Sequence, residues 1–130
     1  AKRAYEQSGW GPEDADLAEV YDSYAAVTTI AIEGLGLCPV GEGARWFAAG
    51  KGDPGGELPI NTNGGLLSAG HTGVGGGTAL LVEGVRQLLH RAEGPRQVEN
   101  CRRAIIGGTG GSYMDAQVLL LERVAEGSAR

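Results

Sequence analysis

One histidine of the sequence lies in a setting that favours chemistry. His71 belongs to the glycine-rich run 70–78, which comes directly before a segment whose apolar residues recur at helical spacing. The N-terminus of a helix offers free N–H groups and a partial positive charge, and both stabilise a developing oxyanion. Imidazole also transfers protons near neutral pH. From this context alone, His71 is a candidate for either role, and a turn histidine without a function is an equal alternative.

The same glycines do not fit a nucleotide-binding loop. A P-loop needs Lys and then Ser or Thr after its second glycine, but Gly76 and Gly77 occupy those places. The dinucleotide fingerprint needs G-x-G-x-x-G between a strand and a helix. The run 73–78 ends in Thr, and the run 108–113 leads into a predicted strand. The sequence therefore argues against a nucleotide cofactor.

Periodicity and turn residues predict the elements that must position His71. The predicted elements are a helix over 1–8, a strand over 17–21, a helix capped by Ser23 that ends near Gly34 or Gly36, a surface loop over 38–57 with an ordered anchor at 45–49, a short strand over 58–61, a helix over 78–91, a strand over 102–106, a tight turn over 107–111, a strand over 116–121 and a frayed end over 125–130. This alternation predicts one α/β domain over residues 1–130, with a layered mixed β-sheet packed against helices.

Composition excludes several classes of function. The 130 residues carry 11 Lys+Arg and 16 Asp+Glu, a formal net charge of -5, which argues against nucleic-acid binding. We find no apolar run long enough to span a membrane and no signal peptide at the start of the sequence. Cys38 and Cys101 lie far apart, which predicts a reducing cytoplasm rather than a disulfide framework. No metal site is predicted.

Three segments together resemble the C-terminal domain of the thiolase superfamily. The segment 61–73 is similar to the thiolase signature of an Asn-containing strand, Gly-Gly and then Gly-His-Pro. The segment 19–25 lies where thiolases carry Asn-Glu-Ala-Phe, and 105–111 lies where many carry a cysteine and a glycine-rich turn. Segments 83–88 and 94–98 are most similar to the sterol-carrier or lipid-transfer branch, of acetyl-CoA acetyltransferase type. The resemblance extends from about Tyr5 to Val124.

This resemblance implies half of an enzyme. Family members have two similar α/β halves with the active site between them, act on acyl-CoA and usually form dimers. Coenzyme A is then a moiety of the substrate, and no covalently bound cofactor is expected. The acylated cysteine lies in the N-terminal half, so we expect the 130 residues alone to be inactive. Cys38 and Cys101 match no motif position and are expected to be structural.

Departures from the family pattern bear on the reaction. His71 matches the histidine that binds the thioester oxygen, although Thr72 replaces the following proline. Ile105 replaces the second cysteine and cannot transfer a proton, which puts ordinary thiolase chemistry in question. Tyr21 replaces the family asparagine, and Tyr113 follows the glycine turn. Either phenol is a candidate proton-transfer group, with packing as an equal alternative.

The resemblance also implies which residues surround the substrate. Backbone N–H groups or amides of the motif residues are expected to approach it: Asn61, Asn63, Gly64, Gly65, Gly73, Gly107, Gly108, Gly110 and Gly111. Other conspicuous residues have simpler expected roles. Tyr24, Trp10 and Trp46 are expected to pack, and His90 is expected to be solvated at a helix end. Asp22 and Asp115 border the motifs without an evident partner.

Three functions follow as hypotheses. The first is thiolysis or condensation at an acyl-CoA, with His71 at the thioester oxygen. The second is a retro-aldol reaction on CoA-linked steroid side chains, with tyrosines moving protons and a small OB-fold protein as partner. The third is a non-catalytic acyl-CoA- or lipid-binding or scaffold subunit. If the chain pairs with a separate N-terminal half, an apolar face should be exposed on it.

Overall fold

The computed structural model describes residues 1–73, 75–110 and 113–124, so the predicted frayed end over 125–130 and Gly111 lie outside the described residues. The elements are α1 (Lys2–Ser8), β1 (Leu17–Val20), α2 (Ala25–Gly34), α3 (Gly43–Ala48), α4 (Gly65–Ala69), α5 (Gly75–Leu88), β2 (Arg103–Gly110) and β3 (Asp115–Glu122), with short 3₁₀ turns at Pro12–Asp14 and Gly94–Arg96. The predicted mixed α/β fold is confirmed. None of the helices in the described ranges is long and apolar enough to cross a membrane.

The sheet has the order β1-β2-β3. β1 runs parallel to β2, and β2 pairs antiparallel with β3 along its whole length. Ile60 forms a single parallel bridge to Ala18 on the far side of β1, where a short strand over 58–61 was predicted. The parallel pair is buried on both faces, as such pairs usually are. One face packs against α2 through Val20, Ile32 and Ile105, and the other packs against α5 through residues such as Leu80.

Several predicted boundaries were wrong, and the glycines explain why. Residues 107–110 belong to β2 and not to a tight turn. A Cβ on Gly107 would lie 3.1 Å from Leu35 Cδ1, so glycine is used there for close packing of α2 on the strand. α5 begins at Gly75 and not at Thr78. The prediction missed its first turn because that turn consists of glycines. The short α4 and α3 were not predicted as helices.

The residues expected to be structural are indeed buried. Trp10 and Trp46 belong to the core on the α2 face. Cys38 and Cys101 are buried free thiols. Burial, with a smaller contribution from Asp16 and Glu19, raises the pKa of Cys101 to about 12, so this thiol stays protonated at neutral pH. His90 is exposed just beyond α5, as expected.

Candidate active site

A cavity of about 670 Å³ opens where β1 ends, between the turn that joins α4 to α5 and the β2–β3 hairpin. Three of the predicted chemical side chains line it together, namely Tyr21, His71 and Tyr113. The remaining wall includes Ser23 and the apolar side chains of Leu66 and Leu67. Ligand sites commonly combine apolar walls with a few convergent polar groups in this way.

The hydrogen bonds around His71 assign its tautomer. The backbone N–H of Gly73 donates to His71 Nδ1 over 3.0 Å. Because Nδ1 accepts this bond, we assign the proton of the neutral ring to Nε2. Nε2 is hydrogen-bonded to the hydroxyl of Tyr21, and the two rings meet edge to face with centroids 5.7 Å apart. Nε2–H therefore donates to the Tyr21 hydroxyl oxygen, which leaves the phenol proton free for another acceptor.

Tyr21 is held by the end of the sheet. Its backbone N–H donates to the carbonyl oxygen of Gly107 over 2.9 Å, so the parallel pairing of β1 and β2 fixes the position of the Tyr21 backbone. The alternation of the strand directs Val20 to the α2 face and Tyr21 to the α5 face, where its hydroxyl meets His71 in the segment before α5. Packing alone therefore does not explain the surroundings of Tyr21, because its hydroxyl is also hydrogen-bonded to His71.

Tyr113 lies at the mouth of the cavity in an uncommon backbone conformation. Its φ is 70°, a left-handed value that non-glycine residues seldom adopt. Its hydroxyl lies 2.5 Å from Ser23 Oγ, and the side chain is 51% exposed. The sequence predicted that Ser23 caps α2, and this was wrong, because Ser23 is hydrogen-bonded to Tyr113. Tyr24 occupies the N-cap position, without a side-chain hydrogen bond to the helix. The predicted packing of Tyr24 was also wrong, because its side chain is 67% exposed beside the cavity.

The predicted substrate-binding residues divide into two groups. Gly73 and Gly110 line the cavity with the three chemical side chains. A Cβ on Gly108 would meet nothing within 4 Å, so no other described residue packs against this face of β2 at Gly108. The others support the site from behind. Gly107 faces Leu35, and Gly64 and Gly65 form the start of α4.

The two asparagines bind backbone rather than line the cavity. Asn61 Oδ1 accepts the backbone N–H of Val20 over 2.6 Å, and its Nδ2 donates to the carbonyl oxygen of Val20 over 2.9 Å. Asn63 Oδ1 accepts the N–H of Gly65 over 2.8 Å. Their direct contact with a substrate stays a prediction, whereas their role in fixing the chain before α4 is visible in these bonds.

Asp22 has a partner that the sequence did not reveal. Its carboxylate oxygens accept the backbone N–H groups of Leu66, over 2.8 Å, and Leu67, over 3.3 Å. These are free donors in the first turn of α4, whose N-cap residue Gly64 has no side chain to satisfy them. Asp22 thereby ties the end of β1 to the helix that precedes His71. In the sequence, this capping role is indicated only by a carboxylate directly after a predicted strand and by Gly-Gly farther along the chain.

Replacing Asp22 with alanine is expected to lower the stability of α4 and of the fold by about 1–2 kcal/mol, because one buried and one part-buried N–H group lose their acceptor. Thermal unfolding followed by circular dichroism measures the effect. Asp115→Ala is the matched control, since Asp115 is exposed at the start of β3. Equal changes in Tm for the two variants would contradict the capping role.

Ile105 does not reach the cavity. It is fully buried on the α2 face, where it packs with Val20 and Ile32. The position at which the resemblance places a second cysteine thus supplies no chemical group to this site. Among the side chains that line the cavity in the described ranges, proton transfer is available from imidazole and phenols.

Comparisons with known proteins agree with this geometry. Residues 1–123 match the family described as Thiolase C-terminal domain-like. The chain belongs to this thiolase family. It is 41% identical over 105 residues to sterol carrier protein 2 of Bos taurus, covering 81% of this chain and 19% of that protein. It is also 39% identical over 95 residues to 17-hydroxy-3-oxo-4-pregnene-20-carboxyl-CoA lyase of Mycobacterium tuberculosis, covering 72% of this chain and 24% of the lyase.

A solved structure of the thiolase fold is similar over most of the chain. The Ltp2-ChsH2(DUF35) aldolase superposes with a TM-score of 0.79 and 27% sequence identity, covering 94% of this chain and 30% of that chain. This thiolase domain therefore spans less than a third of each of these relatives. The resemblance read from the motifs is confirmed, including its sterol-carrier and aldolase branches.

Proposed function

We propose that this thiolase domain is the C-terminal half of an enzyme that breaks or forms a carbon–carbon bond in an acyl-CoA, and that it does so by retro-aldol or aldol chemistry. The observation that carries this proposal is the meeting of His71, Tyr21 and Tyr113 in one cavity that Ile105 does not reach. The similarity to an aldolase and to an acyl-CoA lyase supports the same direction.

The reaction assigns a role to each side chain. A base removes the proton from the β-hydroxyl of a β-hydroxyacyl-CoA, the Cα–Cβ bond breaks, and a carbonyl compound leaves. The electron pair stays on the acyl-CoA as a thioester enolate, which takes up a proton at Cα. Tyr21, whose hydroxyl oxygen accepts Nε2–H of His71, can donate its own proton to the enolate oxygen. Tyr113, held by Ser23, transfers the proton at the β-hydroxyl.

Thiolysis is the second candidate, because the matching family is a thiolase family. It needs a nucleophilic cysteine, and Cys38 and Cys101 are both buried on other parts of the fold. The cysteine would come from the N-terminal half, and His71 would bind the thioester oxygen. A non-catalytic acyl-CoA-binding subunit is the third reading, favoured by the loss of a reactive group at Ile105.

The rest of the enzyme is part of the proposal. We infer that an N-terminal thiolase half completes the site and that the 130 residues alone are inactive. In support, α5 and the residue that follows it expose an apolar stripe of Val82, Val85 and Leu89. Homodimer formation, a small OB-fold partner protein and a cytoplasmic location stay proposals, as does a single domain over residues 1–130. Coenzyme A enters as a moiety of the substrate.

Replacing Tyr113 with phenylalanine is expected to lower cleavage of a β-hydroxyacyl-CoA by at least about tenfold, because the proton at the β-hydroxyl loses its transfer group. The assay uses the whole protein that carries this chain and no free coenzyme A. Tyr5→Phe is the matched control, since the Tyr5 hydroxyl donates to the carbonyl oxygen of Leu35 outside the cavity.

Other outcomes assign the other functions. Cleavage of a β-ketoacyl-CoA only with free coenzyme A, at equal rates in Tyr113→Phe and unmodified protein, would establish thiolysis and end the role of Tyr113. Binding of both acyl-CoA compounds without turnover of either would establish a binding subunit.

A further inference from the structure

A cluster of buried polar side chains lies behind the cavity and takes no part in the chemistry proposed above. It joins Glu19 of β1, Thr62, and Glu83 and Gln87 of α5. Glu19, Glu83 and Gln87 are all fully or almost fully buried. Two carboxyl groups placed so close together away from water cannot both ionise without a large free-energy penalty.

Counting protons in the cluster shows that one carboxyl group is neutral. Thr62 Oγ1 lies 2.8 Å from Glu19 Oε1, 3.0 Å from Glu83 Oε1 and 2.9 Å from Gln87 Nε2. A hydroxyl donates one hydrogen bond and accepts up to two. Gln87 donates to it, and the hydroxyl proton serves only one carboxyl oxygen. Both contacts are full hydrogen bonds only when the other carboxyl group brings its own proton and donates it to Thr62.

The surroundings assign that proton to Glu19. Glu83 Oε1 lies 3.4 Å from the guanidinium Nε of Arg96 and accepts a bond from Gln87 over 3.1 Å, so a positive charge and an N–H donor both face this carboxyl group. Glu19 has acidic neighbours in Glu83 and Asp22, and its Oε2 is buried without a hydrogen-bond partner among the described residues. Burial raises the pKa of Glu19 to about 8; hydrogen bonding with Thr62, including the backbone N–H that donates to Glu19 Oε1 over 3.0 Å, opposes the rise, and Glu83 and Asp22 add to it.

The cluster connects the segments that carry the site. Glu19 lies on β1, two residues before Tyr21, which follows the strand. Thr62 follows Asn61, which binds the backbone of Val20, and precedes the glycines that begin α4. Glu83 and Gln87 belong to α5, which begins just after His71. The bonds through Thr62 therefore hold β1, the chain before α4, and α5 at fixed distances from one another.

We propose that Glu19 is a positioning residue whose retained proton, passed through Thr62 to Glu83, holds Tyr21 and His71 in register across the cavity. Ionisation of Glu19 places a second negative charge beside Glu83, and the single hydroxyl proton of Thr62 can then serve only one of the two carboxylates. The nearest other ionisable groups are Asp22 at the end of β1, Arg96, which faces Glu83, and the buried thiol of Cys101. None of these supplies a cation to Glu19 itself. The expected effect of Glu19 on activity rests on the proposed function.

The pH profile of kcat for the whole protein tests this role. In unmodified protein, kcat is expected to fall about tenfold per pH unit above a pKa near 8, as for loss of one essential proton. Glu19→Gln, which stays neutral and keeps the shape of the side chain, should retain kcat at pH 7 and lose this fall. Glu57→Gln, at an exposed ion pair, should keep the unmodified profile. Identical profiles for Glu19→Gln and unmodified protein would overturn the proposal, as would a loss of kcat in Glu19→Gln at every pH.

Thermal unfolding supplies a second measurement that needs no substrate. Glu19 keeps its proton in the folded protein up to about pH 8, whereas its unfolded form ionises near pH 4.5. Its contribution to stability is therefore complete below pH 4.5 and is lost as the pH rises to about 8. The Tm of unmodified protein minus that of Glu19→Gln should fall across this window. If that difference falls but no acyl-CoA is turned over, the proton assignment stands and the proposed function fails; a constant difference would overturn the assignment.

Discussion

Replacing His71 with alanine is expected to lower kcat of the whole protein on its acyl-CoA by about 10²–10³-fold. The imidazole donates Nε2–H to the Tyr21 hydroxyl, which stabilises the developing oxyanion, and alanine removes this bond. The fold should not change, because the His71 side chain is exposed and its bond from Gly73 is local. Both retro-aldol cleavage and thiolysis build negative charge on the thioester oxygen, so the loss is expected in either case.

The measurement separates chemistry from folding. Steady-state kcat is compared with Tm from circular dichroism for His71→Ala and for a control, His90→Asn. His90 is exposed beyond α5 and has a φ of 53°, a conformation that asparagine tolerates. Unchanged kcat in His71→Ala would remove the histidine from the mechanism. A large fall in Tm would show instead that it supports the fold.

The parts of the fold that the sequence predicted are those with a strong period. Apolar spacing predicted α2 and most of α5, and the end of α2 at Gly34 was predicted correctly. The β2–β3 region was harder, because the glycines at 107–110 have the composition of a turn but lie in a paired strand. The need for glycine at 107 depends on Leu35 packing against the strand, which is a tertiary contact.

The candidate site divides in the same way. His71, Tyr21 and Tyr113 could be selected because a motif or a residue type points to each, and they do line one cavity. Asp22, Glu19 and Ser23 could not, because their functions depend on partners more than 40 residues away in the chain. A carboxylate gives no sequence signal that separates a solvated side chain from a buried cap. Only the packing of β1 against α4 and α5 distinguishes the two.

Gly65→Ala is expected to destabilise the fold by about 3–4 kcal/mol and to lower kcat with it. Gly65 has a φ of 63°, which costs an L-residue about 1–2 kcal/mol. A Cβ there would also lie 2.1 Å from Asp22 Oδ2 and 2.8 Å from Asn61 Nδ2. The carboxylate would have to move away from the N–H groups of α4, so a methyl group at this position removes the same bonds as loss of Asp22.

Gly9→Ala separates the two causes. Gly9 ends α1 with a φ of 75°, and a Cβ there would meet nothing within 4 Å, so this variant carries the backbone cost alone. The fall in Tm should be clearly larger for Gly65→Ala, and only Gly65→Ala should lower kcat. Combining it with Asp22→Ala should add less than the two single changes together, because both remove the same cap. Strict additivity would mean that the methyl group acts through backbone strain alone, and that the Gly-Gly pair of the motif is kept for its conformation rather than for the room it leaves Asp22.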